Sequence, residues 1–243
     1  MSRFKHMAPS LVADWARVAA QIRSICRVAV FLDFDGTLVN IAPFPDQVRL
    51  EPAARRVLRR LARHRRVTLV VISGRRRSEL RRYIGLPGIR YYGLYGWERS
   101  GHSPLPGSAL IALRSVRTQL SSHLSTIPGI WVEDKRFSLS VHFLGAAPPA
   151  QRRARRRLRS LLRPFQESLR VIENLRDAEI VPRCIQGKGI AVQQFLAKPA
   201  RCRALPFYFG DDHSDEDAFE AVGDGISIRV GAARPTRARY SIR

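Results

Sequence analysis

The chain has 243 residues, 45% of them apolar, which is enough for one large domain or two small ones with a sizeable core. Its first ten residues, MSRFKHMAPS, carry no apolar h-region and no apolar run reaches bilayer length, so neither a signal peptide nor a membrane association is expected. The formal net charge is +23, carried almost wholly by arginine, since Lys5, Lys135, Lys188 and Lys198 are the only lysines.

Such a charge fits nucleic-acid binding, steering of an anionic substrate, or arginine-coated helices. The arginines fall mostly on "ARRVLRRLARHRR" and "QRRARRRLRSLLR", where the leucines keep helical spacing, so solvated helix faces are the expectation. No aromatic-interleaved basic motif or zinc-finger spacing accompanies them, and no specific nucleic-acid partner is expected. Cys26, Cys184 and Cys202 are odd in number, far apart and form no Cys-x-x-Cys pair, so neither a disulfide framework nor a zinc site is suggested. The plain reading is a reduced, cytoplasmic protein.

The predicted elements run in chain order as follows. "RVAVFLDF" is a continuous apolar run, as in a strand buried on both faces of a parallel sheet. A helix over "EPAARRVLRRLARH" follows, with Pro52 near its start. Then come a buried strand "RVTLVVISGR", a short helix "RRSELRRYIG" stopped by Gly85, and a strand "IRYYGLYG". This alternation predicts a βαβ-type parallel sheet. Pro and Gly then cluster in "GHSPLPGS". A helix, two strands ("GIWVEDK", "RFSLSVHFL"), a proline break at "AAPPAQ", an arginine-rich helix and two more strands ("LRVIEN", "AEIVP") follow. After this αββαββ block the βα alternation resumes with "GKGIAVQQFLA", "LPFYFGDD", "SDEDAFEAV" and "GISIRVG". The expectation is an α/β Rossmann-like core of residues 1–100 and 183–243, interrupted by an inserted α+β domain at 101–182.

Ligands of open α/β sheets bind at the carboxyl ends of the strands. The first strand ends in Asp33 and Asp35, the second in Ser73 and Gly74, and the fourth core strand in Asp211 and Asp212. Asp33 and Asp35, two apart, leave the strand on one face. Carboxylates packed in a cleft repel one another unless a cation joins them. A hard cation with few protein ligands is most simply Mg²⁺. One aspartate is then free to act as nucleophile and the other as general acid. Lys188, between Gly187 and Gly189 at a helix start, offers a compact counter-charge for a phosphate or an aspartate oxygen.

As a set, "DFDGTL", "VVISGR", "GKG" and "GDDHSDEDAF" resemble the four motifs of the haloacid-dehalogenase-like phosphohydrolase superfamily. The inserted block narrows the likeness. "VEDKRFSLSVHF", "YYGLYGWE" and "AEIVPRCIQGKGIAV" look like segments of the trehalose-6-phosphate phosphatase family, whose cap domain is inserted between the second and third motifs.

The resemblance implies a Mg²⁺-dependent phosphatase of trehalose biosynthesis, acting on trehalose 6-phosphate and functionally linked to a trehalose-phosphate synthase. It implies Asp33 as nucleophile and Asp35 as general acid and base. Ser73 and Lys188 would hold the phosphoryl oxygens, with Gly74 and Arg75 also among the substrate-binding residues. Asp33, the Asp35 carbonyl and Asp211 would ligate the metal, with Asp212 and Asp215 in support. Glu133, Lys135 and Glu179 would hydrogen-bond sugar hydroxyls from the cap. Tyr95 stands where the family usually has His, and the family usually continues through a last strand and helix beyond "RYSIR". Two other readings stay open: a phosphatase of sucrose phosphate or a hexose phosphate, and a nucleic-acid-binding protein on an idle core.

Overall fold

A computed structural model describes residues 6–42, 45–99, 105–124, 126–143, 145–173, 177–198 and 203–243. The chain divides into two compact units, one of Met1–Ser100 with Gln186–Arg243 and one of Gly101–Ile185.

The first unit is built on a six-stranded sheet in the order β10-β9-β8-β1-β2-β3, all parallel. Its strands are β1 (Val28–Leu32), β2 (Val67–Ile72), β3 (Ile89–Tyr92), β8 (Leu205–Gly210), β9 (Ile226–Val230) and β10 (Tyr240–Ile242). Alternation along the strands separates two apolar layers. Ala29, Phe31, Val70, Ile72 and Tyr208 pack under α6 (Lys188–Leu196) and α7 (Glu216–Ala221). On the opposite face Leu69 and Val71 pack with Leu58 of α2 (Pro52–Arg63) and Leu80 of α3 (Arg77–Tyr83). Val28, Ile226 and Ile228 pack with Val18 of α1 (Trp15–Ser24).

Two elements carry no sequence-based expectation, α1 and β10. They meet at the sheet edge: Arg17 of α1 donates to the Tyr240 hydroxyl, and in the segment before α1 Leu11 N donates to Ser241 O. Among the described residues, no helix is long and apolar enough to cross a membrane.

The second unit is a four-stranded antiparallel sheet, order β4-β5-β7-β6, with both of its helices on one face. Its elements are α4 (Gly107–Leu124), β4 (Trp131–Asp134), β5 (Leu139–His142), α5 (Pro148–Leu162), β6 (Leu169–Glu173) and β7 (Asp177–Pro182). This is the αββαββ order expected. The "AAPPAQ" prolines open α5 where the sequence suggested a break before it. Pro148 needs no N–H at a first helical position, so the helix starts on it. Ala154, Leu158 and Leu162, four apart, form the buried stripe of α5 while Arg152, Arg153, Arg156 and Arg159 stand exposed. Arg183 and Ile185 stay with this unit through backbone bonds to Ser168 and Pro182, and Arg170 Nε donates to Ile185 O.

Candidate active site

Strand order in the first unit reverses between β1 and β8. β2 and β3 lie on one side of that pair, and β9 and β10 on the other. A crevice at the carboxyl ends of β1 and β8 is where such sheets take ligands. Asp33 continues β1 by one residue, its N–H donating to Phe209 O at 2.9 Å. Alternation turns its side chain the way of Ala29 and Phe31, toward α6, whose first residue is Lys188. Lys188 Nζ lies 2.9 Å from Asp33 Oδ1 and 2.7 Å from Asp215 Oδ1, and all three side chains are buried. The Tyr208 hydroxyl donates to the same Asp215 oxygen at 2.7 Å. Asp211, just past β8, accepts from Thr37 Oγ1 at 3.4 Å.

Oxygens of Asp33, Asp211 and Asp215 lie within 4.8 Å of one another. Burial, then the neighbouring carboxylates, push the Asp33 carboxyl well above its ordinary range, against the pull of Lys188. Burial and Asp215 push Asp211 up to about 6. Burial alone would lower the Lys188 ammonium, but Asp215 and Asp33 more than offset it and hold it above its usual value. Burial, with the Asp215 and Asp33 charges, also raises the Tyr208 phenol well above normal. One lysine cannot balance three carboxylates, so the cluster is short of positive charge. A hard divalent cation with oxygen ligands fits that deficit.

Close approach explains two glycines. Gly36 has φ +83°, and a Cβ there would sit 2.1 Å from Asp211 Oδ2. At Gly210 a Cβ would sit 2.4 Å from Asp215 Cγ. Side chains at either position would drive the carboxylates apart.

The sequence motif "GDDHSDED" offers several carboxylates, and the structure sorts them. Asp215 joins the cluster. Asp212 instead caps the following turn, accepting from His213 N at 2.7 Å, and faces Arg234 at 3.5 Å. Asp215 is swung inward because its Oδ2 accepts from Asp212 N at 3.1 Å. The segment expected as one helix from Ser214 is therefore a 3-10 turn, His213–Asp215, followed by the six-residue α7.

Ser73 stands one residue past β2, beside β1, and is buried; its Oγ accepts from Arg75 N at 3.1 Å. Arg75 grips Asp35 in a fork, Nε to Oδ2 at 2.7 Å and Nη2 to Oδ1 at 2.8 Å. Burial opposes the Arg75 charge, and the Asp35 bonds outweigh it, so the guanidinium stays above its usual value. Gly74 lies under the Tyr95 ring, where a Cβ would meet Tyr95 Cζ at 2.9 Å. Tyr95 itself holds left-handed backbone at φ 56°, ψ 28°, with its N–H on Ser73 O at 2.9 Å. Tyr95 thus packs on the loop after β2 through both its ring and its N–H.

Within the second unit, Glu133, Ser140 and Glu179 form a row across β4, β5 and β7. The row lies on the face opposite to that of Leu139, Val141 and Ile180, which pack under the helices. Glu179 accepts from Ser138 Oγ at 2.6 Å and from Lys135 Nζ at 3.3 Å. His142 Nε2 and Glu133 Oε2 are 2.8 Å apart, and the His142 ring stacks on Trp131 at 3.7 Å. Burial alone would lower the Lys135 ammonium, but Glu179, Glu133 and Asp177 together hold it above its ordinary value.

A parallel sheet with clustered aspartates and a lysine at its switch point, interrupted by an α+β insertion, is the fold of the haloacid-dehalogenase-like class. The profile of the family described as trehalose-phosphatase matches residues 31–242, and the chain belongs to that family. It is 34% identical over 212 residues to the trehalose-phosphate phosphatase of Mycobacterium tuberculosis (strain ATCC 25618 / H37Rv), covering 83% of this chain and 53% of that protein. Against probable trehalose-phosphate phosphatase 4 of Oryza sativa subsp. japonica it is 30% identical, covering 96% and 67%. The chain thus spans about half the length of the mycobacterial relatives it matches. The fold is shared with the C-terminal domain of the C. albicans trehalose-6-phosphate phosphatase at TM-score 0.82, with 18% identity and coverage of 98% and 93%. A Synechocystis sucrose-phosphatase is a more distant fold relative, at TM-score 0.53 and 20% identity, covering 87% and 85%.

Proposed function

We propose that the chain is a Mg²⁺-dependent phosphatase that hydrolyses trehalose 6-phosphate to trehalose and phosphate. The observation that carries this reading is the buried cluster of Asp33, Asp211, Asp215 and Lys188 at the sheet's switch point. In the first step an Asp33 oxygen attacks phosphorus and the bond to the sugar oxygen breaks, with Asp35 giving that oxygen a proton. In the second, water attacks the aspartyl-phosphate, Asp35 takes the water proton, and the Asp33 carboxylate is released. Lys188 and the Ser73 hydroxyl hold the phosphoryl oxygens while charge spreads over them. The donor set suits Mg²⁺, which Asp33, the Asp35 carbonyl, Asp211 and Asp215 would hold. When bound, the ion neutralises charge on the transferring group. The setting is the cytoplasm, with a trehalose-phosphate synthase supplying the substrate.

The test is phosphate release from trehalose 6-phosphate, sucrose 6-phosphate and glucose 6-phosphate, with Mg²⁺ and with EDTA. Trehalose 6-phosphate should be hydrolysed fastest, EDTA should abolish release, and added Mg²⁺ should restore it. A faster sucrose or hexose ester would shift the substrate reading, and full activity in chelator would remove the metal.

Discrimination between sugars needs groups that reach the sugar, and Glu133, Lys135 and Glu179 are proposed for that. Each lost hydrogen bond to a charged group costs about 1.5–3 kcal/mol, roughly ten- to a hundred-fold in kcat/KM. Glu133→Gln and Glu179→Gln should lower kcat/KM for trehalose 6-phosphate by that much and leave p-nitrophenyl phosphate hydrolysis nearly unchanged. Equal losses on both esters would make these residues supports of the fold.

A further inference from the structure

We propose that Arg75 is the positioning residue of the proton-transfer group Asp35, in place of the substrate-binding role that the family resemblance implies for it. The inference rests on the hydrolase reading above. Asp35 lies in the turn beyond β1, followed by Gly36 with its positive φ, and its side chain is 36% exposed. A partly exposed aspartate in a turn needs a partner to fix its carboxyl. Proton transfer to a leaving oxygen needs that carboxyl in one place.

Arg75 supplies the fixing point. Its side chain is 9% exposed, and both Asp35 oxygens receive a guanidinium N–H. The guanidinium carbon sits 5.4 Å from the Phe34 ring centroid and 5.3 Å from that of Tyr83, and the two rings stack at 5.9 Å. The backbone is held as firmly. Arg75 N donates to Ser73 Oγ, and Arg75 O accepts from Leu94 N at 2.9 Å. At Gly93 a Cβ would meet Arg75 O at 2.8 Å, so the loop after β3 closes directly on this residue. The guanidinium thus belongs to the walls of the crevice, and Asp35 is the more exposed member of the pair.

The arrangement serves both chemical steps. The ionised carboxyl, which takes the water proton, accepts both guanidinium bonds. The protonated carboxyl, which gives its proton to the sugar oxygen, keeps one carbonyl oxygen for Arg75 and turns its O–H to the leaving group. A lysine could hold the charge but not the plane of the carboxyl.

The experiment compares wild type, Arg75→Lys, Arg75→Gln and Asp35→Asn in Mg²⁺, on trehalose 6-phosphate and on 2,4-dinitrophenyl phosphate. The nitrophenolate leaves without a proton, so only the sugar ester needs the acid in the first step. A misplaced acid–base group forfeits part of its usual contribution of about 10²–10⁴-fold. Expected for Arg75→Lys is a loss of roughly ten- to a hundred-fold in kcat/KM on the sugar ester. On the dinitrophenyl ester kcat/KM should hold within about threefold while kcat falls, giving a stoichiometric burst of dinitrophenolate. Asp35→Asn should show the same split, more steeply.

Equal kcat/KM losses on both esters with a raised KM would overturn the proposal and make Arg75 a phosphate ligand. Unchanged kinetics in both Arg75 variants would overturn it as well. Failure of both variants to fold would assign Arg75 a structural role. Wild-type protein that releases no phosphate from either ester would instead defeat the hydrolase reading, before Arg75 is touched.

Discussion

Asp33→Asn should remove steady-state phosphate release, by on the order of 10⁴-fold or more, because an amide is neither an attacking carboxylate nor a comparable metal ligand. The same substitution should leave the metal-free protein folded and no less stable. In the metal-free cluster the Asp33 charge is opposed by burial and by Asp215 and Asp211, and its carboxyl stands well above the ordinary range. A group in that position costs stability when ionised, so a neutral isostere relieves repulsion even as it weakens the contact to Lys188. Two measurements check this. Phosphate release gives the chemistry, and thermal midpoints with EDTA and with Mg²⁺ give the electrostatics. The variant should match or exceed wild type in EDTA and gain less from Mg²⁺. Sustained turnover by pure Asp33→Asn protein would defeat the covalent mechanism. A midpoint well below wild type in EDTA would mean that the carboxylate, as such, holds the cluster together.

How much of this was legible in the sequence depends on the range over which each feature is determined. β1 and β2 are runs such as "VAVFL" and "VTLVVI", apolar on both faces, and a local window suffices to see them. The α5 stripe of Ala154, Leu158 and Leu162 is equally local. By contrast, α1 buries only Val18, and β10 is three residues long. β10 adds to the sheet beside β9, and contacts between chain positions more than 200 residues apart, Leu11 with Ser241 and Arg17 with Tyr240, tie it to α1 and the segment before that helix. No periodicity in either segment reports such a partner.

The site divides along the same line. Strand ends placed Asp33, Ser73 and Asp211, because a parallel sheet delivers its carboxyl ends to one edge. Which aspartate of "GDDHSDED" turns inward was not decidable from spacing. A 3-10 turn advances the chain differently from an α-helix, and the choice is made by Asp212 N, Lys188 and Tyr208 acting on Asp215. Tyr208 reads as one more apolar strand residue until its hydroxyl is seen on Asp215. Arg75 follows a Ser-Gly pair, and the family resemblance makes it a substrate-binding residue. Its fork to Asp35 joins residues 40 apart on different strand ends, which only the register of β1 on β2 brings together.

Lys188→Met carries the largest expected cost in stability. The lysine is 2% exposed, and its ammonium is bonded to both Asp33 and Asp215. Methionine has a similar length and apolar stem, so the substitution deletes the charge with little change in packing. Removing one partner of a buried ion pair costs about 3–5 kcal/mol, because the remaining charge is left uncompensated. Here two carboxylates lose their partner, with Asp211 close by, though protonation of the cluster limits the penalty. With about 2–4 °C per kcal/mol for a domain of this size, the thermal midpoint in EDTA should fall by on the order of 10 °C. Mg²⁺ should return part of that loss and raise the variant's midpoint by more than it raises wild type's, since it enters a site with a larger charge deficit. Phosphate release should still fall by roughly 10²–10³-fold in saturating Mg²⁺, because the phosphoryl oxygens lose a preorganised donor. Lys198→Met removes the same charge from an exposed position beyond α6 and serves as the control, with midpoint and rate expected to match wild type. A Lys188→Met protein as stable as wild type in EDTA would show that the carboxylates are already neutral without the lysine. The counter-charge argument for metal binding would then have to be abandoned.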